Sequence, residues 1–379
     1  MSGKVAPRIL VAPLNWGMGH TTRCIPIIRE LEKQGAEVLL MGTEQQLTFL
    51  QKYFPNAEHF LSESLSIRYS KWLPAWLKII LQAPDIKRNI HEEYTSLQSL
   101  LKTRQIDAVI SDNRYGLHSN DCISILITHQ LELPLPFVLR PFRWISRRNL
   151  SQLLRPFNHI WLPDFPNHAL SGILSKASFE VEALGCLSRF GSSLSIQTSS
   201  RNVLAILSGP EPQRSIFFLE LLRISTSNPT EITFVIDELP DMVSSEMLQD
   251  RQVFIRPTDD EFQQLIQAHE AIICRSGYSS LMDLYRLGRK ALLVPTPGQT
   301  EQEYLANYWE EKGFVQLPQA DLKQLRSFQE LLQKCPASLV VTSSEKAESA
   351  ALLQQAIAHL MQRISIKTNH SRRTNSGNQ

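Results

Sequence analysis

The sequence lacks any run of apolar residues that approaches the roughly 18 to 20 positions a membrane-spanning helix needs. It has five cysteines, none of them in a Cys-x-x-Cys pair, and this scatter indicates neither a zinc site nor a disulfide framework. The formal net charge is only +2, and no motif supports a nucleic-acid partner. Residues 1–7 lead directly into a predicted strand, so we expect no signal peptide and a cytoplasmic protein with reduced cysteines.

The length and the alternation of its elements indicate two α/β domains. A chain of 379 residues exceeds what one core usually serves, and 42% hydrophobic with 20% charged residues is typical of a globular protein. Predicted strands and helices alternate from Arg8 to about Leu139 and again from Asn202, as in parallel sheets wrapped by helices. A serine-rich linker separates them. We predict an N-terminal domain at 1–190, a C-terminal domain at 191–366 and a disordered tail at 367–379.

The stretch from Ala271 to Tyr308 contains two successive strand-loop-helix units. The first apolar run ends at Arg275-Ser276-Gly277 and continues into a helix with leucines at helical spacing, which Gly288 is expected to stop. The second apolar run ends in a proline-rich loop, after which Thr300 begins another helix. Ligands of open α/β sheets lie at the carboxyl ends of the strands, where helix N-termini attract anions. Both loops are therefore candidate ligand loops.

A glycine-rich loop, NWGMGHTTR, follows the first predicted strand. It carries Gly17 and Gly19, and His20 stands at the mouth of a helix that we expect to begin at Thr21 or Thr22. The third glycine of the dinucleotide fingerprint is missing. Glycines allow the backbone to approach a phosphate or sugar oxygen closely. The alternative is a tight turn that binds no ligand.

These segments resemble the GT-B glycosyltransferases, in which two Rossmann-like domains face each other across a ligand cleft. They are most similar to the bacterial N-acetylglucosaminyltransferase family that completes the lipid-linked peptidoglycan precursor. In that family an Arg-Ser-Gly turn faces the donor diphosphate, an acidic residue takes the ribose hydroxyls, a Gln-Gln pair holds the sugar, and backbone groups bind uracil. The donor-binding residues that the resemblance implies here are Gly17, Gly19, Ser208, Gly209, Ile255, Arg275, Ser276, Gly277, Asp283, Gln302 and Glu303.

Two of these assignments carry an alternative. Asp283, the implied ribose ligand, also fits a solvated helix residue. Glu303 replaces the family's second glutamine, which removes an amide donor and leaves the identity of the sugar open.

A second polar cluster follows the strand predicted at Ala108–Ile110. In plant and antibiotic glycosyltransferases of this fold, an N-terminal histidine acts as base on the acceptor hydroxyl and a later aspartate orients it. His20 and Asp112 have that spacing, and a carboxylate can fix the tautomer of an imidazole base. Asp112 could itself be the base, or pair with Arg114, so the base stays open between His20 and Asp112. The acceptor-binding residues implied by the resemblance are Asn113, Arg114, His129 and Gln130.

The resemblance implies an inverting, metal-independent enzyme without a cofactor, which transfers a sugar from a UDP-sugar, chiefly UDP-N-acetylglucosamine, to a cell-envelope, lipid-linked or other glycan acceptor. Two alternatives share the donor site: a UDP-sugar hydrolase or 2-epimerase, and a non-catalytic nucleotide-sugar-binding protein. Aromatic and basic residues at 69–81 and 140–157 suit a lipid-linked acceptor or peripheral contact with an anionic membrane at the inner face of the cytoplasmic membrane. They suit core packing and a solvated loop equally well.

Overall fold

The structure is a computed structural model, and it describes residues 6–62, 81–132, 141, 143–191, 200–209, 211–226, 229–240, 243–336 and 343–376. These residues form two compact units, each with its own sheet. The first unit contains the described residues of 6–62, 83–187 and 347–376, and the second contains residues 81–82 and the described residues of 188–346. No helix in these ranges is long and apolar enough to cross a bilayer.

The first unit is a seven-stranded sheet with the order β3-β2-β1-β4-β5-β6-β7, in which every pair is parallel. Its strands are Arg8–Pro13 (β1), Glu37–Gly42 (β2), Glu58–Leu61 (β3), Ala108–Asp112 (β4), Ile123–Ile127 (β5), His159–Leu162 (β6) and Glu182–Ala183 (β7). Its helices include Met18–Lys33 (α1), Glu44–Gln51 (α2), Ala83–Thr103 (α3) and Arg143–Leu154 (α4), with a 3-10 helix at Gly172–Ser175.

The second unit is a six-stranded parallel sheet with the order β10-β9-β8-β11-β12-β13. Its strands are Ser200–Leu207 (β8), Ile232–Ile236 (β9), Gln252–Ile255 (β10), His269–Cys274 (β11), Leu292–Leu293 (β12) and Val315–Gln316 (β13). Its helices are Gln213–Ile224 (α5), Asp259–Ala268 (α6), Tyr278–Leu287 (α7), Thr300–Glu310 (α8), Gln319–Leu322 (α9) and Phe328–Lys334 (α10), with 3-10 helices at Pro229–Glu231 and Glu246–Leu248.

Both cores consist of continuous apolar strands covered by helices. Strands of a parallel sheet are buried on both faces, which favours unbroken runs of Val, Ile and Leu over alternation. In the first unit, Leu10 of β1 packs with Leu39, Val109 and Leu97 of the neighbouring strands and α3. In the second unit, the core is richer in phenylalanine, with members on α5 and β9.

The two sheets share one topological feature that positions the site. In each, the first strand in sequence lies between its second and its fourth, so the strand order reverses beside β1 in the first unit and beside β8 in the second. Loops that leave neighbouring strands at such a point run to opposite faces of the sheet and open a crevice between them. The loops after β1 and β4, and those after β8 and β11, are therefore the ones expected to bind ligands.

Local signals explain most helix ends. Gly288 adopts the left-handed conformation, with φ of 69°, and ends α7 as predicted. Thr258 and Glu261 form a capping box that begins α6. Helix α1 begins at Met18 rather than at Thr21 or Thr22, because Gly17, with φ of 79°, makes the turn that the helix follows.

The last helix, Ser343–Ser376 (α11), belongs mainly to the first unit. The boundaries expected from the sequence include residues up to 366 in the C-terminal domain, and the resemblance to GT-B proteins allows this final helix to cross back onto the N-terminal domain. A backbone N–H of Cys186 donates to Oγ of Ser349 at 3.0 Å, and Nδ1 of His359 lies 2.7 Å from a carboxylate oxygen of Glu182. The helix continues to Ser376, so residues 367–376 are helical and not the predicted disordered tail.

We predict that Gly116→Ala destabilises the first unit. A Cβ at this position would lie 2.2 Å from the backbone oxygen of Ile90 and 2.6 Å from Cβ of Glu93, both on α3. Overpacking of this kind typically costs about 1 to 3 kcal/mol. The free energy of unfolding in urea checks this, with Gly191→Ala as control, because a Cβ at Gly191 meets no atom of the described residues within 4 Å. Equal stability of the two variants would contradict the close approach of α3.

Candidate functional site

Three side chains of the first unit meet where the strand order reverses beside β1. His20 and Arg23 lie three residues apart on α1, hence on one face of the helix, and Asp112 is the last residue of β4. Nε of Arg23 donates to Oδ2 of Asp112 at 2.6 Å, and Nη2 donates to Oδ1. Nδ1 of His20 lies 3.2 Å from Oδ1 of Asp112 and 2.9 Å from Nη2 of Arg23. The structure thus brings His20 and Asp112 together, with Arg23 as a third member.

The carboxylate of Asp112 is fully buried and paired. Burial alone would raise its pKa, but Arg23, and after it His20, outweigh burial and hold the pKa of Asp112 below its ordinary value. The group is therefore ionised at neutral pH, with both oxygens engaged by Arg23. Its partner is Arg23 and not Arg114, which the sequence analysis left open.

His20 is held as a neutral ring. Burial lowers its pKa most, Arg23 lowers it further, and Asp112 raises it by less, so the pKa of His20 lies below its ordinary value. Its place in the first turn of α1 acts in the same direction, because the positive end of the helix dipole disfavours an imidazolium. The side chain is 14% exposed. A small molecule can therefore reach a ring that has a nitrogen lone pair available at neutral pH.

Arg114 supports the fold and is not placed as an acceptor ligand, contrary to the prediction. It is 1% exposed. Its Nε donates to a carboxylate oxygen of Glu93 at 2.8 Å, and its Nη2 donates to Oγ of Ser62 at 2.8 Å. A buried guanidinium needs such partners because an unpaired charge in the interior is costly.

Asn113, His129 and Gln130 do lie at the carboxyl ends of β4 and β5. Asn113 has φ of 53°, a left-handed conformation that asparagine tolerates, and its N–H donates to the backbone oxygen of Ile127 at 3.1 Å. His129 is 2% exposed. Gln130 donates its backbone N–H to Oγ1 of Thr128 at 3.1 Å.

In the second unit, Arg275 does not take the role predicted for it. Its Nη1 donates to the backbone oxygens of Val294 and Pro295, at 3.1 and 3.3 Å. Its Nη2 donates to the backbone oxygen of Gln213 at 2.7 Å and to the side-chain Oε1 of Gln319 at 2.6 Å. The guanidinium also lies 4.4 Å from the ring centroid of Phe217. These contacts tie together loops after three strands. Arg275 therefore organises the ligand edge of the sheet, and its charge is not directed at a diphosphate.

Asp283 occupies the position expected of a ribose ligand, in the second turn of α7. Ser188 donates its hydroxyl to Oδ1 of Asp283 at 2.5 Å. Burial raises the pKa of Asp283 to about 6, although Arg189 and the Ser188 hydroxyl lower it. Arg189 also forms an ion pair with Asp259 at 3.1 Å. The carboxylate of Asp283 is thus half-buried beside polar groups. This environment differs from that of a solvent-exposed helix residue, the alternative considered for Asp283 from the sequence.

The proline-rich loop after β12 is fixed by the residues predicted to hold the sugar. The backbone N–H of Thr296 donates to Oε1 of Gln302 at 2.9 Å, and that of Gly298 donates to Oε1 of Glu303 at 2.8 Å. Oγ of Ser276 donates to the backbone oxygen of Gln302 at 2.7 Å. Each side chain keeps a second polar atom, the amide nitrogen of one and Oε2 of the other, so both brace the loop and retain a group suited to a hydroxyl.

The loop after β8 differs from a phosphate-binding turn. Gly209 is exposed and left-handed, with φ of 100°, beside the half-buried Ser208. Beyond it, the carboxylate of Glu211 caps the first turn of α5, because it accepts from the backbone N–H of Ser215 at 3.3 Å. It also accepts from Oγ of Ser215 at 2.5 Å and from Nε of Arg214 at 2.9 Å. A carboxylate in this place repels a phosphate. By contrast, no side chain of the described residues caps α7, which begins after Gly277.

Ile255 ends β10 and is 52% exposed, an unusual position for a large apolar side chain at the ligand edge. Arg256, with φ of 49°, follows it and donates its backbone N–H to the oxygen of Ile236 at 3.0 Å. The chain thus turns sharply and leaves the backbone of Ile255 and its side chain at the surface.

The basic aromatic segments are described only in part. Residues 69–80, Arg140 and Phe142 lie outside the described residues. Helix α4 is described, and its exposed face carries Trp144, 63% exposed, and Arg148. Arg143 and Arg147 both pair with Glu132, at 2.5 and 3.0 Å.

Sequence analysis missed three functional neighbours. Arg23 could have been found, because it lies one helical turn beyond His20. Ser188, 95 residues before Asp283, and the capping role of Glu211 left no signal in the sequence, since both depend on how the loops pack.

Residues 237–364 match the model of the glycosyltransferase family 28 C-terminal domain. Among solved structures, the chain is similar to the glycotransferase of kitacinnamycin, with 15% identity, TM-score 0.60, and 97% of this chain and 99% of that chain covered. It is similar to the spinosyn rhamnosyltransferase SpnG, with 16% identity, TM-score 0.59, and 93% and 96% covered. It is also similar to MurG of Acinetobacter baumannii, with 16% identity, TM-score 0.52, and 95% and 99% covered.

No curated protein matches the chain. The shared fold confirms the predicted GT-B fold, and the domain match makes the chain a glycosyltransferase of that fold. Within the described ranges, no group of three or more His, Cys, Asp or Glu side chains is arranged to hold a metal ion.

Proposed function

We propose that the protein transfers a sugar, N-acetylglucosamine in the first instance, from a UDP-sugar to a glycan or lipid-linked acceptor, with inversion and without a metal ion. The observation that carries the proposal is the family 28 domain at 237–364, in which Asp283 stands as a half-buried carboxylate on α7, at the edge where the strand order reverses. Nucleotide sugars bind at this edge in doubly wound sheets.

In the proposed donor site, the diphosphate lies at the N-terminus of α7. The unpaired N–H groups and positive dipole end of a helix favour an anion. A Cβ at Gly277 would have Oγ of Ser280, 3.9 Å away, as its nearest contact among the described residues beyond its chain neighbours, so there is open space beside this helix end. Asp283 accepts the ribose hydroxyls, and the exposed edge at Ile255 takes the pyrimidine. SpnG is also known in complex with thymidine diphosphate, which makes the thymine nucleotide a necessary comparison with uracil.

In the proposed reaction, His20 is the base. It removes the proton of the acceptor hydroxyl, the acceptor oxygen bonds to the anomeric carbon, and the bond from that carbon to the diphosphate breaks with its electron pair on the departing oxygen. Attack opposite the leaving group inverts the centre. Gln302 and Glu303 hold the sugar hydroxyls, and the α7 N-terminus stabilises the charge on the leaving diphosphate. Asn113, His129 and Gln130 contribute to the acceptor side.

Incubation with UDP-sugars alone, and then with lipid-linked and soluble glycan acceptors, tests the proposal. A transferase leaves the donor largely intact until an acceptor is supplied. Free sugar from the donor alone would indicate a hydrolase, and a changed sugar configuration at C2 would indicate an epimerase. Binding without turnover under any condition would indicate a non-catalytic nucleotide-sugar-binding protein.

Asp283→Ala should weaken binding of UDP-N-acetylglucosamine by about 1.5 to 3 kcal/mol, the usual contribution of hydrogen bonds to a charged group. The ionised carboxylate is the better acceptor, and its pKa is about 6. Wild-type affinity should therefore rise as the pH increases from 5 to 7, and this dependence should vanish in the variant. Calorimetry with the UDP-sugar, which has no phosphate oxygen titrating in this range, measures both effects. Glu310→Ala, an exposed carboxylate of the same unit, is the control, and unchanged affinity in Asp283→Ala would remove the assignment.

His20→Ala should lower turnover about 10² to 10⁴-fold while UDP-sugar affinity stays near wild type, because a general base acts on the chemical step. Asp112→Asn should lower turnover as well, since it loses the carboxylate beside the ring. His91→Ala, an exposed histidine of α3, serves as the matched control. Wild-type turnover in His20→Ala would leave the proposed base without support.

The exposed face of α4 should bind anionic vesicles. Basic residues near an anionic surface contribute roughly 1 kcal/mol each and are screened by salt. Trp144→Ser with Arg148→Ser should reduce sedimentation with anionic vesicles, whereas Phe179→Ser with Lys102→Ser, an exposed aromatic and an exposed cation elsewhere, should not. Equal sedimentation with neutral and anionic vesicles would argue for a soluble acceptor and leave the transferase proposal intact.

A further inference from the structure

Three atoms at the proposed base form a triangle: Oδ1 of Asp112, Nη2 of Arg23 and Nδ1 of His20. Arg23 binds both oxygens of Asp112, and its Nη2 also lies 2.9 Å from the ring nitrogen. Arg23 and Asp112 are 2% and 0% exposed. A planar guanidinium that grips a carboxylate with two N–H groups holds it in a fixed orientation.

We propose that Arg23 is a positioning residue that clamps Asp112, prevents that carboxylate from acting as the base, and directs it to accept from Nδ1–H of His20, so that Nε2 takes the acceptor proton. This inference rests on the proposed function, in which His20 is the base. In this arrangement His20 is the base, and Asp112 orients it.

The tautomer decides whether the ring can serve as base. If Nδ1 accepted from Nη2 of Arg23 at 2.9 Å, Nε2 would carry the proton and could not take another. If Nδ1 donates to Oδ1 of Asp112 at 3.2 Å, Nε2 has the lone pair that the reaction needs. An anionic carboxylate oxygen is a stronger acceptor than a neutral ring nitrogen, and Asp112 is ionised beside Arg23, so the second arrangement is favoured.

The surrounding charges are consistent with this role. The groups that act on His20 are Arg23 on its own helix, Asp112 at the end of β4 and His129 after β5. Asp112 in turn acts on Cys24 and Tyr115, whose pKa values burial raises, that of Tyr115 to about 12. Both are therefore neutral at pH 7. The positive charge of Arg23 offsets the negative charge of Asp112. The carboxylate can therefore orient the His20 ring without holding it as an imidazolium.

One proton moves from the acceptor hydroxyl to His20 in the proposed step. The acceptor O–H bond breaks, its hydrogen joins Nε2, and the oxygen's electron pair forms the bond to the anomeric carbon while the diphosphate departs. The imidazolium then donates through Nδ1 to Asp112 and returns its Nε2 proton to solvent. Arg23 stays protonated throughout, because a guanidinium does not lose its proton in this range.

Nitrogen NMR of the histidine rings in the full chain tests the proposal without any assay, with His20 assigned by comparison with His20→Gln. The wild-type ring should be mainly the Nδ1–H tautomer at pH 7.5. A ring that is mainly Nε2–H would overturn the proposal. Because this measurement needs no substrate, it remains decisive even if the protein proves not to be a transferase.

Arg23→Met should raise the pKa of His20 by about 1 to 3, because an uncompensated carboxylate then faces the ring. The acidic limb of the plot of turnover against pH should move by the same amount. The affinity for the UDP-sugar should be unchanged. Arg23→Lys, which keeps the charge, should shift the pKa of His20 less. If Arg23→Met does not fold, Arg23→Met with Asp112→Leu removes both charges, a replacement that buried pairs often tolerate, and the ring should shift toward Nε2–H. An unchanged pKa of His20 in Arg23→Met would show that Arg23 only supports the fold. An unchanged tautomer in the double variant would show that the Arg23–Asp112 pair does not orient the ring, which would overturn the proposal.

Discussion

Every strand pair in the two sheets is parallel, and this constraint places the chemistry. Parallel pairing puts the carboxyl ends of all strands of a sheet at one edge, and the central first strand opens a crevice there. His20, Arg23 and Asp112 meet at that edge of the first unit, and Asp283 and the α7 N-terminus meet at that edge of the second. Helices and loops between the strands can vary without disturbing this arrangement, because the hydrogen-bonded ladders fix it.

Elements that depend on local sequence were predictable. The stop at Gly288 and the helix that begins at Thr300 follow from glycine conformation and helix-start signals, and the structure confirms them. The pairing of His20 with Asp112 was implied by the resemblance to glycosyltransferases of this fold, together with their spacing and loop placement, and the two side chains are in contact. The extent of α11 was not predictable, because a polar, weakly periodic helix takes its place from tertiary contacts that its own sequence does not record.

The partners of the buried arginines could not be predicted from the sequence. Arg275 lies in a loop at the ligand edge and resembles an anion ligand in sequence, yet its guanidinium reaches backbone oxygens of neighbouring loops. Arg114 reaches Glu93, 21 residues before it, and Arg23 reaches Asp112, 89 residues beyond it. A side chain of this length with several donors can serve a ligand or a carbonyl with equal ease. Only the positions of the surrounding oxygens, which packing sets, decide between the two.

The place of α11 in the first unit has a consequence for biosynthesis. Residues 347–376 pack with a unit whose other described segments end at residue 187, and Gly185 leaves no room for a side chain because Cα of Ser349 would lie 2.6 Å from its Cβ. During translation, the whole second unit emerges from the ribosome before this helix does. The first unit must therefore wait until residues 347–376 have been synthesised, and the groups that bury Ile357 and Leu360 in the folded unit stay exposed to water until then.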